Sequence, residues 1–150
     1  MTRMREAELV WNAIMLPRHR VIIWLSYQDK LLTKERLLKL NILTDGNMNC
    51  CLCELGVPET ELYLFSECEW VTTVREKLAT WTGIAFPQKP SRSTLKWIRN
   101  KQRRQFRKEV GAVIYGDTIY YTWQARNWRI FRKLNVNREF IVLQIQKKLR

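Results

Sequence analysis

Apolar residues recur at helical spacing along the first third of the chain. The stretch from Arg5 to Leu16 has apolar residues three and four positions apart, and Pro17 ends this pattern, which predicts a first helix. The stretch from His19 to Leu32 is rich in β-branched residues, so a strand is an alternative there. Its length favours a buried helix, which is therefore the prediction.

A third, short helix is predicted over the segment KERLLKL, because Thr33 stands before it as a capping residue. We expect three of its leucines to face inward: Leu37, Leu38 and Leu40. The tripeptide Asp45-Gly46-Asn47 is typical of a turn. Further along, an apolar stripe predicts a helix from about Trp70 to Trp81 that ends near Gly83.

The residues from Phe86 to Ser91 have the composition of a linker. Beyond it, Ser93 or Thr94 can cap a helix that extends to about Leu134. Two alternatives stand for this region: one continuous helix, or two helices with a break near Asn100. Asn137 is predicted to cap a last helix whose apolar residues repeat every four positions: Ile141, Ile145 and Leu149.

The sequence therefore predicts an all-α fold. We expect a small helical domain at residues 1–88, with a short Cys-rich knuckle at 50–68. A long basic helical extension follows at residues 89–150.

The positive charge is concentrated at the C-terminal end. The net charge is +13 at pH 7, yet residues 1–90 hold 11 Lys or Arg and 11 Asp or Glu, whereas residues 91–150 hold 16 and 3. Such a concentration attracts polyanions, because it neutralises phosphates and releases their counterions. RNA or DNA is the predicted partner, with an acidic membrane surface and simple solubilisation as alternatives.

Other classes of protein are disfavoured by what the sequence lacks. No apolar run approaches the roughly 20 residues of a membrane-spanning helix, and the mixed charges of MTRMREAELVW are unlike a secretory signal. We expect an intracellular protein of the nucleus or cytoplasm, neither secreted nor in a membrane. In that reducing environment the four cysteines are better explained as metal ligands or free thiols than as disulfides.

Cys50 and Cys53 have the C-x2-C spacing with which two thiolates on a tight turn bind one tetrahedral zinc ion. The stretch CCLCELGVPETELYLFSEC, ending at Cys68, resembles the zinc-binding domain at the C-terminal end of plant LINE-type reverse transcriptases, whose pattern is C-x2-C, E-T-x-x-H-L-F and a final Cys. WNAIMLPRHRVIIWL, LLTKERLLKLNI and IYYTWQARNWRIF are similar to further segments of that family. The resemblance implies a retrotransposon origin and a zinc site. Because Met1 directly precedes the similar region, we expect a stand-alone fragment of such a reading frame.

One position departs from the family pattern. Tyr63 stands where the family has His, and a neutral phenol is a poor zinc ligand compared with imidazole. The resemblance then leaves three ligands: Cys50, Cys53 and Cys68. Cys51 is an alternative fourth ligand, whereas His19, which lies between two Arg residues, is expected to be solvated. Two states stay open: a weakened zinc site, or a knuckle that has lost its zinc and packs by hydrophobic contacts.

The knuckle itself is acidic, since no Lys or Arg lies between Leu40 and Val74 whereas six carboxylates do. We therefore expect it to repel phosphate. Nucleic-acid contact is predicted for the segment RNKQRRQFRK, through Arg99, Lys101, Arg103, Arg104, Arg107 and Lys108. On a continuous helix these cations form two adjacent stripes, opposite four apolar residues: Leu95, Ile98, Phe106 and Val110. A solvated face without a ligand is the alternative.

The basic character continues towards the C-terminus through Arg126, Arg129, Arg132 and Lys133. Four aromatic residues lie nearby: Tyr120, Tyr121, Trp123 and Trp128. Aromatic rings can stack on bases, but at helical spacing we expect them to be core residues.

Catalytic machinery is missing from the sequence. It has no Tyr-x-Asp-Asp polymerase signature, no clustered carboxylates for two-metal phosphoryl transfer, and no nucleophile beside a base. We predict a non-catalytic, zinc-knuckle-like module of retrotransposon origin that binds RNA or DNA nonspecifically and has no small-molecule substrate. The alternative is a structural or protein-interaction remnant without a nucleic-acid role.

Overall fold

Helices form the regular structure of this chain. A computed structural model describes residues 16–42, 47–101 and 104–149. The helices, numbered in chain order, are α1 Pro17–Tyr27, α2 Lys34–Lys39, α3 Glu69–Thr82, α4 Ser91–Lys101, α5 Gln105–Phe131 and α6 Arg138–Lys148, and a π-helical turn, Tyr63–Glu67, precedes α3. Within the described ranges, strand-like pairing is limited to one antiparallel bridge between Asn49 and Pro58. The all-α prediction is confirmed.

Two predicted elements cannot be compared with the structure. Residues 5–15 of the first predicted helix and Asp45-Gly46 of the predicted turn lie outside the described residues. None of the helices in the described ranges combines the length and the apolarity that a membrane span requires.

Four helix ends follow from the residues at those ends. Pro17 is at the first position of α1, where its missing N–H breaks no hydrogen bond. The Thr33 hydroxyl accepts a hydrogen bond from the Arg36 N–H at 3.3 Å, and the Asn137 side chain accepts one from a backbone N–H at 2.8 Å. Gly83 ends α3 with a φ of 76°. The two N-caps and the end of α3 are therefore confirmed.

The start of α4 differs from the prediction. The helix begins at Ser91 and not after a cap at Ser93 or Thr94. The reason is local, because the Thr94 N–H donates to the Pro90 carbonyl at 2.9 Å, so the first turn already forms directly after the proline.

The expected burial of the leucines in and directly after α2 is wrong for two of the three. Leu38 and Leu40 are 49% and 48% exposed, whereas Leu37 is half-buried. This six-residue helix is held at its N-terminus instead, where the Lys34 N–H donates to Glu59 Oε1 at 2.8 Å. A polar anchor, and not an apolar face, fixes its position.

The basic segment is divided between two helices. α4 ends at Lys101 and α5 begins at Gln105, so the continuous helix is wrong and the alternative, a break close to Asn100, is confirmed. Arg104 has an extended backbone before α5, with φ of −86° and ψ of 136°. The two stripes expected on a continuous helix therefore do not form.

α5 is the central helix of the fold. It packs against α1, α3, α4, α6 and the π-helical turn, and its residues Ile114 and Ile119 are completely buried. Gly111 allows α4 to approach closely, because a Cβ at this position would lie 3.3 Å from Cγ2 of Ile98. Helices that precede residue 88 and helices that follow residue 89 share this core. The domain boundary predicted between these two residues stays a prediction.

Candidate metal centre and basic surface

A tight turn presents the first cysteines of the knuckle. The Cys50 N–H donates to the Val57 carbonyl at 2.8 Å, and the Glu59 N–H donates to the Met48 carbonyl at 2.7 Å. Gly56, with φ of 75°, supplies the left-handed conformation that this reversal of the backbone uses. The C-x2-C pair is thus held by backbone hydrogen bonds.

Cys68 joins this pair from the end of the π-helical turn, where its N–H donates to the Tyr63 carbonyl at 2.7 Å. The Sγ atoms of Cys50, Cys53 and Cys68 all lie within 4.8 Å of one another. Cys50 Sγ is 3.8 Å from Cys68 Sγ. Sulfur ligands about 2.3 Å from a tetrahedral zinc ion are about 3.8 Å apart. The three thiols, called the thiol cluster below, have the spacing of such a site.

Tyr63 lies beside the thiol cluster, whereas Cys51 does not. The Tyr63 hydroxyl donates a hydrogen bond to Cys53 Sγ at 3.0 Å, so the residue in the place of the expected His is at the site. Cys51 Sγ instead donates to the Arg126 carbonyl at 3.8 Å. Among the described residues, the group close enough to share a metal ion is made of the three clustered cysteines without Cys51.

Hydrogen bonding makes the thiols unequal. The hydrogen bond from Cys68 lowers the pKa of Cys50 to about 6, and the same bond raises the pKa of Cys68. The hydrogen bond to Cys53 raises the pKa of the Tyr63 phenol, and burial raises the pKa of the Cys51 thiol to about 11. Zinc binds cysteine as the thiolate, so the lowered pKa of Cys50 favours metal binding whereas the raised pKa of Cys68 opposes it.

His19 is not the solvated residue that its Arg neighbours indicate. Its side chain is buried, its ring stacks on Tyr120 with 3.8 Å between the ring centres, and its Nδ1 atom is 2.6 Å from Asp117 Oδ1. Lys148 Nζ lies 3.2 Å from the same oxygen. No local pattern indicates these partners, because Asp117 is 98 residues away along the chain. His19 belongs to this core network and not to the thiol cluster.

Arginines from the C-terminal half pair with acidic residues of the knuckle and of the first turn of α3. Glu59 and Arg126 form a buried ion pair. Two further ion pairs are more exposed to solvent: Glu54 with Arg129, and Glu69 with Arg138. Arg126 adds basic character to the sequence but not to the surface, because its guanidinium is buried against Glu59.

The residues predicted to bind nucleic acid lie on two helices and the break between them. Lys101, Arg104 and Arg107 are exposed, whereas Arg99 and Lys108 are half-buried. Arg103 lies outside the described residues. Because the helix breaks, these residues do not share the face that a continuous helix would give them.

Sequence reasoning missed two exposed cations on α4, Arg92 and Lys96. With Arg99 they lie four and three residues apart, which places them along one side of the helix. The signal for this stripe is the sequence of α4, SRSTLKWIRNK, which has four cations and no carboxylate. We call these three residues the α4 stripe.

Comparisons with known proteins bear on the N-terminal half of the chain. No curated protein and no solved structure was found to match. The resemblance to a zinc-binding segment of reverse transcriptases is confirmed by a family comparison. Residues 1–74, which include all three clustered cysteines, match the family described as zinc-binding in reverse transcriptase.

Proposed function

We propose that this chain is a non-catalytic, retrotransposon-derived zinc-binding module of the plant LINE type that binds RNA or DNA through phosphate contacts. The observation that carries the proposal is the convergence of the Cys50, Cys53 and Cys68 Sγ atoms within 4.8 Å. Soft thiolate ligands at tetrahedral spacing favour zinc over hard cations. The family match over the same residues supports this choice of metal.

When bound, zinc supplies a cross-link between the Cys50–Cys53 turn and the start of α3, and so stabilises the folded state. Tyr63 adds a hydrogen bond to Cys53 and no imidazole, so we expect weaker zinc binding than three cysteines and a histidine provide. A metal-free knuckle is the second candidate. The same hydrogen bond favours it, because Tyr63 provides Cys53 with a partner when no metal is present.

Zinc content measured on purified protein tests this part of the proposal. We expect about one zinc ion per chain, lost on Cys68→Ala and retained on Cys51→Ala. Cys51 is the matched control, because it is the same residue type in the same turn but bonds to the Arg126 carbonyl. Protein without stoichiometric zinc, or equal zinc in both variants, would support the metal-free knuckle instead.

Nucleic-acid binding is proposed for the exposed cations of α4 and the start of α5. Arg92, Lys96, Lys101 and Arg104 are exposed, and in the described part of the chain none of them pairs with a carboxylate. They differ in this respect from Arg126, which is already neutralised. Such cations contact the backbone of any sequence and release counterions, so binding is expected to weaken linearly with the logarithm of salt concentration.

Fluorescence anisotropy with single-stranded RNA and DNA at several salt concentrations tests this second part. We expect the double variant Lys96→Glu, Lys101→Glu to lose about tenfold in affinity at low salt. The double variant Lys77→Glu, Lys133→Glu changes the net charge equally, on α3 and beyond the C-terminal end of α5, and should lose much less. Equal binding by the two variants, or affinity independent of salt, would favour the structural or protein-interaction remnant.

A further inference from the structure

A cavity of about 460 Å³ lies between α1, the π-helical turn and the start of α4. Its lining includes three buried hydroxyl residues, Ser26, Ser91 and Tyr115, and three charged residues, Asp29, Lys89 and Arg92, that are exposed at its rim. The volume lies within the range of sites that bind small organic molecules or one nucleotide. The thiol cluster takes no part in this cavity.

A chain of hydrogen bonds crosses the cavity wall and ends at a pair of carboxyl groups. Tyr115 Oη donates to Ser91 Oγ at 3.0 Å, Ser91 Oγ is 2.5 Å from Ser26 Oγ, and Ser26 Oγ donates to Glu61 Oε1 at 2.6 Å. Glu61 Oε2 is buried and accepts from no N–H or O–H group in the described part of the chain, but the Glu61 carboxyl hydrogen-bonds to the side chain of Asp29, so the two carboxyls share a proton. A ligand group with two N–H donors can take the place of this shared proton and donate to both carboxyls.

The rim of the cavity joins the proposed nucleic-acid surface. Arg92 lines the cavity and is the first residue of the α4 stripe. Its guanidinium carbon lies 4.7 Å from the centre of the Tyr27 ring, which lines the cavity too. Lys89 adds a second positive charge at the rim. A strand that follows the α4 stripe would therefore pass the mouth of the cavity with its phosphates near Lys89 and Arg92.

We propose that the cavity takes one unstacked base of a bound single strand and prefers bases with an exocyclic amine, namely adenine, cytosine and guanine. The inference rests on the proposed nucleic-acid binding and adds a base preference to it. The amine donates one N–H to each of the Glu61 and Asp29 carboxyls, which both line the cavity, and the proton that they share passes to solvent. Uracil and thymine have no amine and would direct carbonyl oxygens at Glu61, so they fit less well.

The experiment compares four RNA 12-mers by fluorescence anisotropy: oligouridine, and the same strand with one central adenine, cytosine or guanine. We expect the substituted strands to bind about tenfold more tightly than oligouridine. Glu61→Met should abolish this preference. Glu67→Met is the matched control, because it removes an exposed carboxylate from the adjoining π-helical turn outside the cavity and should keep the preference.

A second variant distinguishes the loss of the base site from a folding defect in Glu61→Met. Ser93 is exposed and lines the cavity, so Ser93→Trp should obstruct it without disturbing the buried hydroxyls, and should also abolish the preference. Equal, salt-dependent binding of all four strands by the parent protein would overturn the base site and leave the proposed phosphate binding intact. Absence of binding to any strand at low salt would overturn both.

Discussion

The guanidinium of Arg126 forms two hydrogen bonds to the carboxylate of Glu59, with Nη2 2.8 Å from Oε1 and Nε 3.1 Å from Oε2. Their side chains are 3% and 0% exposed. The same carboxylate accepts a hydrogen bond from the Lys34 N–H at the start of α2. One buried ion pair therefore joins the knuckle, α2 and α5.

Breaking this pair is expected to destabilise the protein strongly. Glu59→Gln and Arg126→Met should each lower the free energy of unfolding by roughly 3 kcal/mol, because each leaves a buried group without its partner. Urea denaturation measures the change. Arg129→Met, which breaks the more exposed pair with Glu54, should cost less than about 1 kcal/mol. Similar losses for Arg126→Met and Arg129→Met would contradict the prediction.

Restoring the family's imidazole is expected to strengthen metal binding. Tyr63→His should raise the zinc affinity at least about tenfold, because a neutral imidazole is a far better ligand than a phenol. Competition with a chromophoric chelator measures the affinity. Tyr63→Phe is the control, since it removes the hydroxyl near Cys53 and adds no ligand. If His and Phe at this position gave the same affinity, residue 63 would not be placed to bind the metal.

Stability should depend on pH through Glu61. Burial, with the neighbouring Asp29, raises the pKa of Glu61 from 4.5 to about 8. The folded state then keeps a proton that the unfolded state loses, so the contribution of Glu61 to stability falls as the pH rises from 4.5 to about 8 and then levels off. Urea denaturation at pH values near each end of this range measures the decrease in the free energy of unfolding. Glu61→Gln should make this decrease smaller by roughly 2–4 kcal/mol. If the free energy of unfolding of this variant depended on pH as that of the parent does, the assignment of the pH dependence to Glu61 would be wrong.

The network around His19 is expected to support the core. Asp117→Asn should lower the free energy of unfolding by roughly 2 kcal/mol, because both His19 and Lys148 lose a charged acceptor. Thermal unfolding measures this, with Glu76→Gln on the exposed side of α3 as the control, expected to stay within about 0.5 kcal/mol of the parent. A loss no larger than that of the control would show that the network contributes little.

The features that sequence reasoning predicted depend on neighbouring residues. Thr33 and Asn137 cap their helices through N–H groups two or three residues later, and Gly83 ends α3 by its own backbone angle. The C-x2-C spacing likewise brings Cys50 and Cys53 together within one turn. Such local chemistry can be read without knowing the rest of the fold.

The features that sequence reasoning missed depend on distant residues. Nothing near His19 indicates Asp117, and nothing in the charge pattern selects Arg126 from the other cations as the partner of Glu59. Neither a proline nor a strong turn dipeptide marks the break after Lys101 in the sequence. In each case tertiary packing decides the outcome, and a pattern along the chain does not contain that information.

The ion pair between Glu59 and Arg126 spans 67 residues, and the pair between His19 and Asp117 spans 98. Contacts of such sequence separation close large loops and slow folding. During synthesis the knuckle leaves the ribosome long before α5 exists to pair with it. The ion pairs between the knuckle and the arginines of the C-terminal half can therefore form only after that half of the chain has been made.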